Sequence, residues 1–420
     1  KMLDRTQQPE IKPIERIDFV KPKRFEISNN CQLICFDDLN NETAKLELYF
    51  AAGTINEKVE LSSFTNGMLL TGTETTASKD IHLAIDNLGG FIEQGVSNEN
   101  AVVGIYSLRE NLPAIARILK GAIENCAFLD KEIVQMANER KQKLAVNMEK
   151  VSVEAQRQFR QNLFNDAETY GRVTNAEDID AITREDLVNF HKQYYLKGLQ
   201  RIVVVGRFTQ DELDGFMDLF GEWACQIEQP LANDFSNIKG YHHIEKPDAL
   251  QTAIRVGRKL FNKSGDDYLD FLILNTILGD YFGSRLMTNI REDKGYTYGI
   301  GSMVGEFLKT GYFLIGTEVK KEVRKETLAE IKIEFDRLRN KLVDDEELDL
   351  VKNYMLGQLL KSADGAYMMM DLYLSVEMLG LDLDFYNKAI EAIQNITKER
   401  LQELAKKYLN WDDFTIVSVG

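Results

Sequence analysis

Arg291 and Tyr298, seven positions apart, are the side chains of this sequence best spaced for polar chemistry. They lie in the run from Leu278 to Ser302. Gly279 ends one helical pattern there, and Ser284 can cap the next. That second helix is predicted to reach Glu292, after which Lys294-Gly295 turn the chain into a strand carrying Tyr298. A guanidinium thus sits at a helix C-terminus with a phenol hydroxyl just beyond it. Both groups donate hydrogen bonds, so both can hold carbonyl oxygens. The same spacing also serves scaffolding alone, with Arg291 complementing the helix dipole and Tyr298 packing against its neighbours.

Other reactive residues are sparse. The histidines, His82, His191, His242 and His243, form no His-Glu-x-x-His or His-x-x-Glu-His run. His82 and His191 fall in amphipathic helical patterns, where a surface or core role suffices. His242-His243 are expected to precede a strand and to point to opposite faces. A metal site built from this chain alone is therefore not expected. Cys31, Cys35, Cys126 and Cys225 are too few for a disulfide scaffold and fit a reducing compartment. Cys31 and Cys35 share a strand-like run that holds them about 13 Å apart, too far to bridge. No phosphate loop, nucleophile elbow or dinucleotide fingerprint occurs.

The elements that must position these residues belong to a mixed α+β chain. Of 420 residues, 44% are apolar and 28% charged, which suits two or three globular domains. Acidic residues outnumber basic ones 67 to 51, a net charge of −16. That balance argues against nucleic acid or anionic lipid as the main partner. No apolar stretch reaches the roughly 18 residues of a spanning helix. The opening Lys-Met-Leu-Asp-Arg-Thr lacks the apolar core of a signal peptide, so a cytoplasmic location is expected.

Residues 1–23 read as a polar N-terminal arm. A hairpin is predicted over 24–37, a strand over 45–52, a helix over 57–70, and a second helix capped by Ser78. Two strands follow within 91–108, then long helical patterns to about Phe164, a helix over 183–196 and a strand at 202–205. Strands recur at 252–256, 298–303, 311–316 and 414–419, with helices dominating 321–409. Ile182-Thr183-x-Glu185-x-Leu187 returns as Ile396-Thr397-x-Glu399-x-Leu401, an offset of 214 positions. The same offset joins Tyr194 to Tyr408 and Ile202-Val203-x-Val205-Gly206 to Ile416-Val417-x-Val419-Gly420. An ungapped repeat of this kind implies two homologous domains of about 210 residues, each an antiparallel-rich sheet packed with helices. They are assigned to 24–228 and 239–420, joined by a linker at 229–238. The groove between two such halves is a natural ligand site.

Ser284-Arg285-Leu286, Arg291-Glu292, Lys294-Gly295 and Tyr298 together resemble the C-terminal-domain signature of insulinase-type (pitrilysin-type, inverzincin) zinc peptidases. Ala52-Gly53, Thr71-Gly72-Thr73, Leu88-Gly89-Gly90-Phe91 and Asn111-Leu112 also fall in that family's order, so the likeness spans Arg24 to Gly420. Active members carry His-x-x-Glu-His on the helix before the Gly-Thr, two His binding zinc and the Glu acting as general base. Here the window reads Ser63-Phe64-Thr65-Asn66-Gly67: Ser63 and Gly67 replace the ligands and Asn66 the base. A third ligand, a Glu, is expected within 143–146, which reads Lys-Leu-Ala-Val.

The resemblance implies a chain that has lost the zinc half of its site and kept the Arg/Tyr half. It implies that Tyr298 hydrogen-bonds the scissile carbonyl as its oxyanion develops, and that Arg291 holds a substrate backbone carbonyl, both in trans across a subunit interface. The function so implied is a non-catalytic, zinc-less subunit of a bacterial-type heterodimeric metallopeptidase that cuts short or unfolded peptides. Such a chain is inactive alone and holds no cofactor; zinc is expected in a homologous His-x-x-Glu-His partner. The alternative is a structural or chaperone-like protein that binds peptides without proteolysis. The short Leu278–Gly283 stretch lacks the glycine-rich loop of the zinc-less processing-peptidase subunit, so presequence processing is not implied.

Overall fold

Short apolar runs bounded by turn residues become eleven strands in two sheets among the residues that the computed structural model describes, 13–56, 58–165, 169–228 and 236–420. The first sheet takes β1 (Lys23–Ser28), β2 (Cys31–Phe36), β3 (Thr43–Phe50), β4 (Phe91–Val96), β5 (Ala101–Leu108) and β6 (Leu199–Val205), in the order β1-β2-β6-β3-β5-β4. The second takes β7 (Gly240–Ile244), β8 (Gln251–Leu260), β9 (Thr297–Glu306), β10 (Gly311–Lys320) and β11 (Thr415–Val419), in the order β7-β11-β8-β10-β9. Without β1 the two orders coincide, including one parallel pair in each, β2 with β6 and β7 with β11. Val203 faces Glu47 across the first sheet, and Val417 faces Arg255 across the second, so the sequence offset returns as spatial register.

The repeated helix starts the same way in each half. Thr183 accepts a hydrogen bond from the Asp186 N–H, and Thr397 accepts one from the Arg400 N–H, each satisfying a donor at a helix N-terminus.

The central strands of both sheets are buried on two faces, which explains the near-continuous apolar runs of β2, β6 and β11. Leu33 and Cys35 of β2 face the helices of their own half, while Ile34 and Phe36 face the other half. Helix Val151–Phe164 lays Ala155, Phe159 and Leu163 on Ala253, Val417 and Val419 of the second sheet. Helix Gly365–Glu377 lays Met370, Tyr373 and Val376 on Ile34, Phe36, Val203 and Val205 of the first. Each half thus lends a helix to the sheet of the other. Each buried Val, Leu, Ile, Phe or Met side chain in these contacts contributes roughly 1.5–3 kcal/mol. Gly257 permits the first crossing: a Cβ there would lie 2.5 Å from Phe159 Cζ.

The structure corrects several local expectations. Ala77, not Ser78, is the N-cap of helix Ser78–Asp86; the Ser78 hydroxyl donates instead to the Leu70 carbonyl at 2.9 Å. His242 and His243 lie within β7 rather than before a strand. The helix beginning at Arg184 widens into a π-helical turn at His191–Tyr195. Residues 1–12 of the arm and 229–235 of the linker lie outside the described residues. The rest of the arm docks on the C-terminal half: the Ile17 N–H donates to Asn387 Oδ1 at 3.1 Å, and its side chain packs on Ala363 and Ile390. Cys31 and Cys35 are free, and burial pushes both thiols up to about 12. No helix among the described residues is long and apolar enough to cross a membrane.

Candidate functional site

Helix Leu61–Met68 follows β3 and buries Leu61, Phe64 and Met68, which turns Ser63 and Gly67 toward helix Asp130–Met148. Asn66 is buried and donates from Nδ2 to the Tyr195 hydroxyl at 3.1 Å, while its carbonyl accepts from Gln94 Nε2 at 2.6 Å. Between Ser63 and Gly67 lies the guanidinium of Arg140. It donates to Ser63 Oγ at 2.7 Å, to the Ser63 carbonyl at 2.8 Å and to Glu60 Oε2 at 2.9 Å, and sits 5.3 Å from the Phe64 ring centre. Glu60 is fixed in turn by the Thr174 hydroxyl at 2.6 Å. A Cβ on Gly67 would stand 3.1 Å from Arg140 Nη2 and 3.2 Å from Met136 Cε, so the side chain missing at 67 is room that Arg140 fills.

These residues do not fit zinc. Ser63, Asn66 and Gly67 offer a hydroxyl, an amide and a hydrogen, and a fixed cation stands among them. Lys143, Ala145 and Val146 are exposed on helix Asp130–Met148 and bring no carboxylate. Among the described residues no three His, Cys, Asp or Glu side chains gather as metal ligands. His191 is buried and neutral; burial pulls it down to about 4, and its Nε2 meets the Ile123 carbonyl at 2.8 Å.

In the other half, Ser284 caps as expected, its Oγ accepting from the Met287 N–H at 3.5 Å. The helix that follows becomes π-helical over Met287–Asp293, a wide turn common at functional sites. Arg291 lies in its last turn with its guanidinium 4.7 Å over the exposed Phe282 ring. Gly295, at φ 63°, makes the turn into β9. Thr297 pins that strand, its hydroxyl donating to the Glu318 carbonyl at 2.8 Å and accepting from the Gly299 N–H at 3.1 Å. Tyr298 projects from β9, an edge strand, and is 94% exposed. Its hydroxyl has no hydrogen-bond partner among the described residues, and its ring packs little against them. Arg285 of the same motif is structural, gripping Glu347 through two bonds of 2.8 and 2.7 Å.

Three adjoining cavities, each sharing lining residues with the next, form the groove that lies between the Ser63/Gly67 region and Tyr298. A cavity of about 460 Å³ lined by Ser63, Asn66 and Arg140 shares Arg140, Arg160 and Arg172 with a second of about 670 Å³. The second shares Gln156 and Arg255 with a third, also about 670 Å³, lined by Tyr298. Arg291 lines none of the three. Sequence spacing missed Arg140 and the arginine row. The one available signal was that Arg140 lies a turn before the 143–146 stretch where a ligand was sought.

Residues 34–176 match the family model described as insulinase (peptidase family M16), and residues 181–355 match the one described as the peptidase M16 inactive domain. The chain is 22% identical over 413 residues to an uncharacterized zinc protease, YmxG, of Bacillus subtilis, covering 93% of this chain and 96% of the relative. It is 22% identical over 307 residues to a probable inactive metalloprotease, YmfF, of the same organism, covering 71% of each. Its fold is similar to the crystal structure of a peptidase M16 inactive domain from Pseudomonas fluorescens, with TM-score 0.85, 22% identity, and coverage of 96% and 98%.

Proposed function

The chain belongs to peptidase family M16, and from that premise we propose that it is the zinc-less subunit of a heterodimeric metallopeptidase. The observation that carries this reading is the contrast between its two sites. Where active members bind zinc, Arg140 is locked to Ser63 and Glu60. The Tyr298 hydroxyl, by contrast, stands free on an edge strand. In this reading a homologous His-x-x-Glu-His subunit supplies zinc and the general base. Tyr298 reaches across the interface to donate to the carbonyl oxygen of the scissile bond, and Arg291 holds a backbone carbonyl farther along the substrate. Removing one such donor lowers turnover roughly 10²–10³-fold.

The test is purification of the chain with its partner from its own cells, zinc counting, and peptide cleavage with and without Tyr298→Phe. A partner carrying His-x-x-Glu-His and about one zinc per pair is expected, with cleavage reduced in the variant. Full activity of the variant complex would remove the donor role. A chain that purifies alone and without metal would favour the second reading, a peptide-binding protein without proteolysis. That reading draws support from β4, a sheet edge whose outer backbone pairs with no described strand and can accept an extended chain.

A further inference from the structure

The groove is basic, although the protein is acidic. Its central cavity is lined by Arg140, Lys143, Arg157, Arg160, Arg172 and Arg255, against Glu60 as the only carboxylate among the described lining residues. Glu60 is already spent on Arg140. Arg160 is held by neutral oxygens: its Nε donates to the Tyr170 carbonyl and its Nη2 to Asn98 Oδ1 at 2.8 Å. Arg255 is held likewise, by Gln156 Oε1 at 3.1 Å and the Ile254 carbonyl at 3.0 Å. Glu318 acts on Arg255 only at longer range, beyond ion-pair distance. Both guanidinia are half-buried, and burial lowers both from the usual arginine range. Cations fixed by carbonyls, partly desolvated and without an ion-pair partner among the described residues, are short of an anion.

We infer that this groove binds an acidic stretch of polypeptide whose side-chain carboxylates sit on Arg160 and Arg255. Polypeptide is favoured over a small anion by shape. One end of the groove is walled by Gln94, Gly95 and Val96 of the edge strand β4, and the other by Tyr298 of the edge strand β9. Such a trough suits an extended chain whose backbone lies along the edges and whose carboxylates reach the arginines. Low-dielectric walls concentrate the positive field there despite the negative charge of the whole. The expectation that the ligand is peptide rests on the proposed function; the charge preference does not.

The experiment uses the full chain alone and labelled short peptides of alternating Glu and Ala or Lys and Ala, followed by fluorescence anisotropy. The Glu peptide should bind, more weakly as salt rises, and the Lys peptide should not. Arg160→Gln and Arg255→Gln should each weaken binding about 10- to 100-fold, the loss of one charge-assisted hydrogen-bonded contact. Equal binding of the two peptides by the unmodified chain would overturn the inference, and that arm stands even if a variant fails to fold. So would folded variants that keep full affinity. Tight binding of inorganic pyrophosphate with weak binding of the Glu peptide would overturn the peptide assignment. Neither zinc nor a partner enters this assay, so it can fail while a Tyr298→Phe defect in the complex stands, and the reverse.

Discussion

Helices Val151–Phe164 and Gly365–Glu377 begin 214 positions apart, and each crosses the sheet of the opposite half, yet the charges beneath them are settled differently. Under the second helix, β3 presents Lys45, Glu47 and Tyr49. Lys45 Nζ meets Glu47 Oε1 at 2.7 Å, and the Tyr49 hydroxyl donates to Glu47 Oε2 at 2.9 Å. Arg201 Nε donates to Glu377 Oε2 at 2.6 Å, and Gln32 Nε2 takes the other oxygen at 2.8 Å. Under the first helix, the register-equivalent positions are Ala253, Arg255 and Gly257. A carboxylate at 47 becomes a guanidinium at 255, and no carboxylate among the described residues lies within ion-pair distance of it. One crossing closes its ionic groups on one another and acts as scaffold. The other leaves a cationic groove. A duplicated frame can keep its apolar packing in both copies while only one copy retains unspent charge.

The largest effect expected from breaking this contrast is at Glu377. Its carboxylate is 10% exposed beside Arg201 at 14%, and Glu377→Ala leaves that guanidinium buried and unpaired. Thermal or denaturant unfolding should show a loss of about 3 kcal/mol. Arg255→Gln, at the pseudo-equivalent crossing, removes a charge that had no carboxylate partner and should cost less than half as much. Equal losses would mean that the two crossings are energetically alike.

The contrast also shows what a single sequence can carry. The offset of 214, the repeated Ile-Thr-x-Glu-x-Leu and the near-continuous apolar runs of β2, β6 and β11 are local signals of the two-sheet frame. The window Ser63 to Gly67 was legible as a unit because it is contiguous. Arg140 was not, because it reaches Ser63 from a separate helix, across 77 positions. The groove was less legible still: its arginines come from two helices, a loop and β8, and only the helix exchange brings them together. The π-helical turns at His191 and Met287 escaped because one extra residue per turn leaves little trace in a 3.6-residue pattern.

A smaller effect separates the halves by pH. His191 is buried, while the position 214 residues on is Ala405, also buried. Burial holds His191 at about 4, below its ordinary 6.5, so the folded protein keeps it neutral where the unfolded chain takes up a proton. Its contribution is complete above pH 6.5 and is lost as pH falls through the window from 6.5 toward 4. Between pH 7 and pH 5, His191→Gln should therefore lose less stability than the parent, by about 2 kcal/mol. Matching pH profiles for variant and parent would show that another group carries the acid sensitivity.

The smallest effects come from two tyrosines, and they sharpen the contrast between the closed and open sites. Tyr195 is fully buried, and its hydroxyl accepts from Asn66 beside the locked Arg140–Ser63 contact. Tyr195→Phe strands a buried amide donor and should cost about 1–2 kcal/mol. Tyr298→Phe removes a hydroxyl that faces solvent from an edge strand, so its stability should change by less than about 0.5 kcal/mol. Denaturant midpoints for the two variants of the chain alone decide the matter. If Tyr298→Phe destabilised the isolated chain as much as Tyr195→Phe, its hydroxyl would be part of the scaffold, and the reason to assign it a role across a subunit interface would disappear.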